Sequence, residues 1–222
     1  MKFEYLFSDC DGVIIDSEII AARVMVKYIQ SYNVPITLDE YLVKFSGQTF
    51  SGIMTGLSKK YNLDLPNDYV NKITSLYKKA AVQEEKAIEG TKAAYEQIDL
   101  PKAIISNSYK EQINHAVDFT GMRDLFNDRV FSGVEDVSNP KPAPDIYLHT
   151  AKMLEVLPSK VIVIEDSASG AKSAVAAGMY VIGFTGASHI KKGHEHTLKE
   201  IGVKHVIQSM SELPLLIKKI NG

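Results

Sequence analysis

Phe3-Glu4-Tyr5-Leu6-Phe7-Ser8-Asp9-Cys10-Asp11-Gly12-Val13 is the stretch on which the reading of this chain turns. Residues 3–7 have the apolar, aromatic character of a short strand, and the strand runs directly into two carboxylates spaced two residues apart. In an open α/β sheet ligands gather beyond the C-terminal ends of the strands, which is where Asp9 and Asp11 then stand. Like charges this close raise each other's pKa unless a cation or hydrogen-bond donors compensate, so the pair predicts a hard divalent ion. Mg²⁺ fits best, because it takes oxygen ligands, keeps some of its waters and usually arrives with substrate phosphate. Gly12 lets the chain turn away sharply after the pair. Taken alone, an Asp-x-Asp-Gly sequence is more often an ordinary acidic turn.

Working outward, β-rich runs recur at residues 102–105, 129–131, 160–164, 180–183 and 205–207. Helical stretches at 109–119, 144–154, 169–177 and 211–220 fall between or after them. This alternation predicts a Rossmann-like, doubly wound α/β fold with a parallel sheet covered by helices on both faces. The unbroken apolar run Val161-Ile162-Val163-Ile164 suits a strand buried on both sides. Residues 16–87 break the pattern, with helix signals and almost no strand signals. Ala22, Met25, Val26 and Ile29 share one helical face, Thr37 and Glu40 form a capping box, and two more helices fit residues 50–61 and 68–83. The expected organisation is therefore an α/β core of residues 1–15 and 88–222, with a small helical bundle of residues 16–87 inserted after the first strand. The two flanks of the insertion become adjacent linkers, a natural hinge.

Further polar groups follow the later strands. Ser106-Asn107-Ser108 places hydroxyls and an amide ahead of a helix N-terminus, a position suited both to anions and to ordinary capping. Lys141 sits in Asn139-Pro140-Lys141-Pro142-Ala143-Pro144, where the prolines hold the backbone and so the ammonium. A cation fixed in this way is suited to neutralising phosphate charge. Glu165-Asp166 follows the most apolar strand, a second carboxylate pair at the edge where Asp9 and Asp11 stand.

In this order the pieces resemble the haloacid dehalogenase superfamily, particularly its phosphatases with a small helical cap and the related β-phosphoglucomutases. The resemblance rests on Asp9-x-Asp11-Gly12-Val13 with Asp16-Ser17-Glu18, then Ser106-Asn107, Lys141-Pro142 and Glu165-Asp166-Ser167, and it covers the whole chain. It implies that Asp9 attacks phosphorus to form an aspartyl-phosphate, and that Asp11 serves as acid and then base. It implies Mg²⁺ held by Asp9, the Asp11 carbonyl and Asp166, with Glu165 supporting directly or from behind a ligand. Ser106, Asn107 and Lys141 become the phosphate-binding residues. The cap is expected to select the substrate, with Lys44 and Gln48 in the stretch 44–49 offered to hydroxyls or a carboxylate.

Within the superfamily, Asp11 favours phosphate esters over carbon–halogen or phosphonate substrates. The absence of histidine from residues 16–22 favours a phosphatase over a phosphosugar mutase without deciding between them. A phospho-accepting receiver module is the alternative from another class, but receivers are roughly half this length and lack the insertion. A catalytically idle binding protein on the same scaffold is disfavoured, since every expected catalytic position is filled. The formal charge of -2 over 222 residues, with no basic run longer than Lys-Lys, offers no footprint for nucleic acid or an anionic membrane. The expected partner is a small phosphorylated metabolite, a sugar phosphate or phosphorylated sugar acid, acted on by a cytoplasmic monomer. The single cysteine, Cys10, reads as a buried small apolar residue, and His189, His194 and His196 read as a polar surface loop leading into a helix.

Overall fold

The structure, a computed structural model, describes residues 2–45 and 48–222, so the stretch 44–49 is described except for Ser46 and Gly47. Six strands, β1 (Tyr5–Ser8), β2 (Lys102–Ser106), β3 (Val130–Ser132), β4 (Val161–Glu165), β5 (Tyr180–Phe184) and β6 (His205–Ile207), form one sheet in the order β3-β2-β1-β4-β5-β6. Every pairing is parallel. The chain leaves β1 towards β2 on one side and returns as β4 on the other, so the crevice beyond β1 is the point where the winding direction switches.

Alternation along the strands sorts the core into two layers. Leu6, Ile104, Ile162, Ile164 and Ile182 belong to one apolar cluster, while Phe7, Ala103, Ile105, Val161, Val163 and Val181 belong to another. The helical unit contains α1 (Glu18–Gln30), α2 (Leu38–Phe45), α3 (Phe50–Tyr61) and α4 (Tyr69–Glu84). The first sheet cluster is closed by α5 (Thr91–Glu96), α6 (Lys110–Phe119), α7 (Arg123–Phe126) and, at the C-terminus, α11 (Leu213–Asn221). The second is closed by α8 (Asp145–Met153), α9 (Ala168–Ala176) and α10 (His194–Ile201), which contribute Ile146, Ala171, Ala174 and Leu198. Both faces of the sheet are thus covered, in the expected doubly wound α/β arrangement. The short helices α5 and α7 were not expected, because neither has enough turns to display a 3.6-residue period.

The chain divides into two compact units, Met1–Ile15 with Ala87–Gly222, and Asp16–Lys86. The smaller unit has its own core of Met25, Ile29, Leu42, Ile53, Met54 and Ile73. Its second helix begins at the capping box, where the Glu40 amide donates to Thr37 Oγ1 at 3.2 Å and the Thr37 amide to Glu40 Oε2 at 2.8 Å. The connecting segments run side by side, with an antiparallel bridge between Ile15 and Ala87. Among the described residues no helix is long and apolar enough to cross a membrane.

Candidate active site

All of the observed strands but β6 end one residue further along than the sequence suggests, so Ser106 closes β2 and Glu165 closes β4. Asp9 follows β1 directly, and its amide donates to the Ile164 carbonyl at 3.0 Å, continuing the ladder and fixing its backbone. Behind it, Ser8 Oγ donates to the Asp9 carbonyl at 2.6 Å and receives the Tyr95 hydroxyl at 2.6 Å.

Among the described residues, Asp9, Glu165 and Asp166 form a buried group whose ligand oxygens lie within 4.8 Å of one another. Lys141, 7% exposed, donates to Asp9 Oδ1 at 2.9 Å, Glu165 Oε1 at 2.6 Å and the Ile105 carbonyl at 2.7 Å. Its ammonium protons are therefore all engaged within the protein. Glu165 is equally committed. Tyr147 donates to Oε1 at 2.9 Å, and the Ser167 amide and hydroxyl reach Oε2 at 3.3 and 3.1 Å. A side chain at Gly170 would bring its Cβ 1.7 Å from Glu165 Oε1, which explains a glycine inside α9.

Asp166 is held differently. Its Oδ1 is buried with no hydrogen-bond partner, and its Oδ2 lies 3.1 Å from His189 Nε2, within ion-pair distance but without hydrogen-bond alignment. Burial above all, then the charge of Glu165, push the Asp9 carboxyl well above the usual range, and Lys141 opposes the shift. Burial and then Glu165 do the same to Asp166. Burial works against the Lys141 ammonium, but Asp9 and Glu165 outweigh it and raise its pKa. Three buried carboxylates facing one ammonium leave two negative charges in excess when all are ionised. With an orphaned carboxylate oxygen among them, the donor set fits a hard divalent cation.

On the other side of Asp9, Asp11 Oδ2 accepts from Ser106 Oγ at 3.1 Å and from Ser108 Oγ at 2.7 Å. Ser132 Oγ steadies that turn by donating to the Ser108 carbonyl at 2.7 Å. Asn107 is bonded to the proline loop. Its side chain donates to the Lys141 carbonyl and accepts from the Lys141 amide, both at 3.0 Å, and so staples the proline loop to the end of β2. Asp9, Asn107, Lys141 and Glu165 are thus joined by hydrogen bonds, Asp11 and Ser106 are bonded to each other, and Asp166 lies within 4.8 Å of the ligand oxygens of Asp9 and Glu165. Lys44 and Gln48 belong to the helical unit, are exposed, and are linked by Gln48 Nε2 donating to the Lys44 carbonyl at 3.1 Å.

One expectation is overturned. His189 is only 5% exposed, so the histidine stretch is not simply a surface loop, although His196 is exposed as expected. The residue is buried because the loop after β5 turns inward to Asp166, a tertiary placement that local polarity does not reveal. Tyr95, Tyr147 and Ser132 were likewise missed, since each reads locally as core or helix. Gly12 also does more than turn. Its φ is +76°, and a Cβ there would fall 1.9 Å from Asp166 Oδ2 and 2.9 Å from His189 Cε1. Gly12→Ala is expected to lower the melting temperature by roughly 4–10 °C, from about 1–2 kcal/mol of backbone strain plus the displaced Asp166. Phosphate release should fall at least about tenfold if ligand geometry is lost. A thermal melt and a phosphate assay check this, and an alanine variant with unchanged stability would contradict the close approach.

A family model described as haloacid dehalogenase-like hydrolase matches residues 5–184. The chain is 30% identical over 195 residues to the 6-phosphogluconate phosphatase of Escherichia coli K12, covering 86% of each. It is 28% identical to the phosphorylated carbohydrates phosphatase of Thermotoga maritima, over 79% of this chain and 82% of that one. Among solved structures, a haloacid dehalogenase-like protein of unknown function from Agrobacterium tumefaciens superposes with a TM-score of 0.89 at 34% identity, covering 99% of this chain and 100% of the other. A hydrolase of the same superfamily from Deinococcus radiodurans, solved with bound phosphate and sodium, gives a TM-score of 0.79 at 28% identity, covering 98% and 96%.

Proposed function

The chain belongs to the haloacid dehalogenase-like hydrolase family, and from that premise we propose that it is a Mg²⁺-dependent phosphatase acting on a small phosphorylated sugar or sugar acid through a phosphorylated Asp9. The observation that carries this reading is the buried Asp9–Glu165–Asp166 group, with its orphaned Asp166 oxygen, placed beside a second aspartate.

Asp9 and Asp166, with the carbonyl of Asp11, are assigned as the cation's ligands. Glu165 supports from behind, since both of its oxygens are already bonded. Bound there, Mg²⁺ neutralises charge on the phosphoryl group as it moves. A carboxylate oxygen of Asp9 forms the bond to phosphorus while the ester bond breaks, and Asp11 gives its proton to the departing alkoxide. Ser106 and Ser108, both bonded to Asp11 Oδ2, hold that carboxyl in place for the transfer. In the second half Asp11 takes a proton from water, water oxygen bonds to phosphorus, and inorganic phosphate leaves with Asp9 restored.

Lys141 holds Asp9 in position, and any contact it makes with a phosphoryl oxygen requires exchange of one of its three bonds. Asn107 acts through the Lys141 backbone. The helical unit is assigned the cap's selecting role, with Lys44 and Gln48 as the polar groups offered to substrate. The substrate class rests on similarity to the two sugar-phosphate phosphatases.

The test is inorganic phosphate release from 6-phosphogluconate, hexose 6-phosphates and pentose 5-phosphates, with Mg²⁺ and with chelator. At least one compound should reach a kcat/KM of about 10⁴ M⁻¹s⁻¹ or more, with activity abolished by chelation. Release that persists in chelator, or none from any compound, would overturn the proposal.

A further inference from the structure

The loop of residues 185–193 joins β5 to α10, and His189 within it and His194 at the start of α10 both reach Asp166. His189 Nε2 stands 3.1 Å from Asp166 Oδ2, and His194 Nε2 lies 2.6 Å from the Asp166 backbone carbonyl. Gly12 packs against the same Asp166 Oδ2 and the His189 ring so tightly that no Cβ fits there. Asp166 is thereby approached at its peptide and at Oδ2, where His189 stands within ion-pair distance, while neither carboxylate oxygen has an aligned hydrogen bond and Oδ1 has no group at such a distance among these residues.

We propose that His189 is a positioning residue that donates from Nε2 to Asp166 Oδ2 and so commits Oδ1 to the cation, with His194 fixing the peptide that carries it. An aspartate has two side-chain torsions, and rotation about the second exchanges its oxygens. A donor on one oxygen removes that freedom before the ion arrives, and partners of this kind typically govern metal affinity by about 10–100-fold. The imidazole suits the task because it is nearly fully buried, at 5% exposure, and reaches the carboxylate across a loop that no helix or strand holds. The observed 3.1 Å separation is a hydrogen-bond distance, so reorientation without translation is enough to align the donor.

This inference rests on the metal-dependent reading above, and the experiment separates the two. Mn²⁺, which takes the same oxygen ligands, is titrated without substrate into wild type, His189→Asn, His189→Leu and His189→Gln, and free ion is read by electron paramagnetic resonance. Melting temperatures are recorded in chelator. Asparagine cannot reach Asp166 and leucine cannot donate, so both should weaken binding by about 10–100-fold. The glutamine amide reaches about as far as Nε2 and should restore affinity to within about threefold. The Mg²⁺ concentration giving half-maximal activity should rise in step in the first two variants, while kcat at saturating Mg²⁺ stays within about threefold of wild type. A purely structural histidine would lower melting temperatures and leave the affinities of the folded variants alike, which would overturn the proposal. Equal losses in asparagine and glutamine would overturn it too, and that comparison stands if the leucine variant does not fold. A wild type that binds no Mn²⁺ would remove the metal-dependent reading and this inference together.

Discussion

Asp9→Asn is expected to lower phosphate release by about 10⁴-fold or more while leaving the fold intact. The amide has nearly the carboxylate's shape, so the loss reports chemistry rather than packing. Its oxygen can still accept from Lys141, whose other bonds to Glu165 and the Ile105 carbonyl remain. What disappears is the negative oxygen that forms the bond to phosphorus, and Asp11 cannot replace it because its Oδ2 is held by Ser106 and Ser108. Removing the charge also relieves repulsion from Glu165, so the variant should melt no lower than wild type in chelator. Steady-state phosphate release gives the rate, and rapid quenching gives the second arm. Wild type should carry hydroxylamine-sensitive phosphate on the protein, and the variant none. A residual rate within tenfold of wild type would remove Asp9 from the nucleophile's role.

The parts of this site that could be read from sequence are those that the strands deliver. Asp9, Ser106, Glu165 and Asp166 sit at or just beyond strand ends, and a parallel strand buried on both faces announces itself as a continuous apolar run such as Val161-Ile162-Val163-Ile164. Once the strands are found, the chemistry-bearing residues follow by position. Lys141 was legible for another reason, the prolines around it, although its threefold engagement was not.

The rest depends on contacts across long sequence separations. His189 lies among Ser188, Lys191, Lys192 and His194, so any window average calls the loop polar. Only the inward turn to Asp166 buries that one ring. Tyr147 belongs to the apolar face of α8 in every local sense, and its hydroxyl finds Glu165 only after α8 docks on the sheet. The bonds from Asn107 to the Lys141 peptide were not legible, because a strand-end amide suits phosphate and backbone equally and the proline loop that supplies the backbone is distant in sequence.

Asp166→Asn should make the metal-free protein more stable at pH 8 and nearly inactive. In the unfolded chain this carboxyl titrates near its ordinary pKa of about 4. In the fold, burial and then Glu165 hold it well above that value. The folded state therefore binds a proton that the unfolded state has released. The stability this provides is complete below the unfolded pKa and is lost as pH rises through the folded pKa. At pH 8, far above the unfolded pKa, folding bears the cost of protonating this carboxyl or of burying its charge, with Oδ1 unpartnered. Asparagine bears none, and a gain of about 1–3 kcal/mol follows, roughly 2–12 °C for a chain of this size. The gain should shrink towards pH 5 as Asp166 takes up its proton. Saturating Mg²⁺ reverses the ranking. At a thousand times its dissociation constant a ligand adds about 4.1 kcal/mol to the state that binds it, more than the variant's gain, and the variant has lost one of the assigned ligands. Activity should fall by on the order of 10²–10³-fold, the cost typical of deleting one charge-stabilising contact. Melting curves in chelator and in Mg²⁺ from pH 5 to 8 check the three statements about stability, and a phosphate-release assay checks the fourth, about activity. A variant that melts below wild type at pH 8 in chelator, or that keeps the full Mg²⁺ stabilisation, would mean that Asp166 is neither an uncompensated charge nor a ligand.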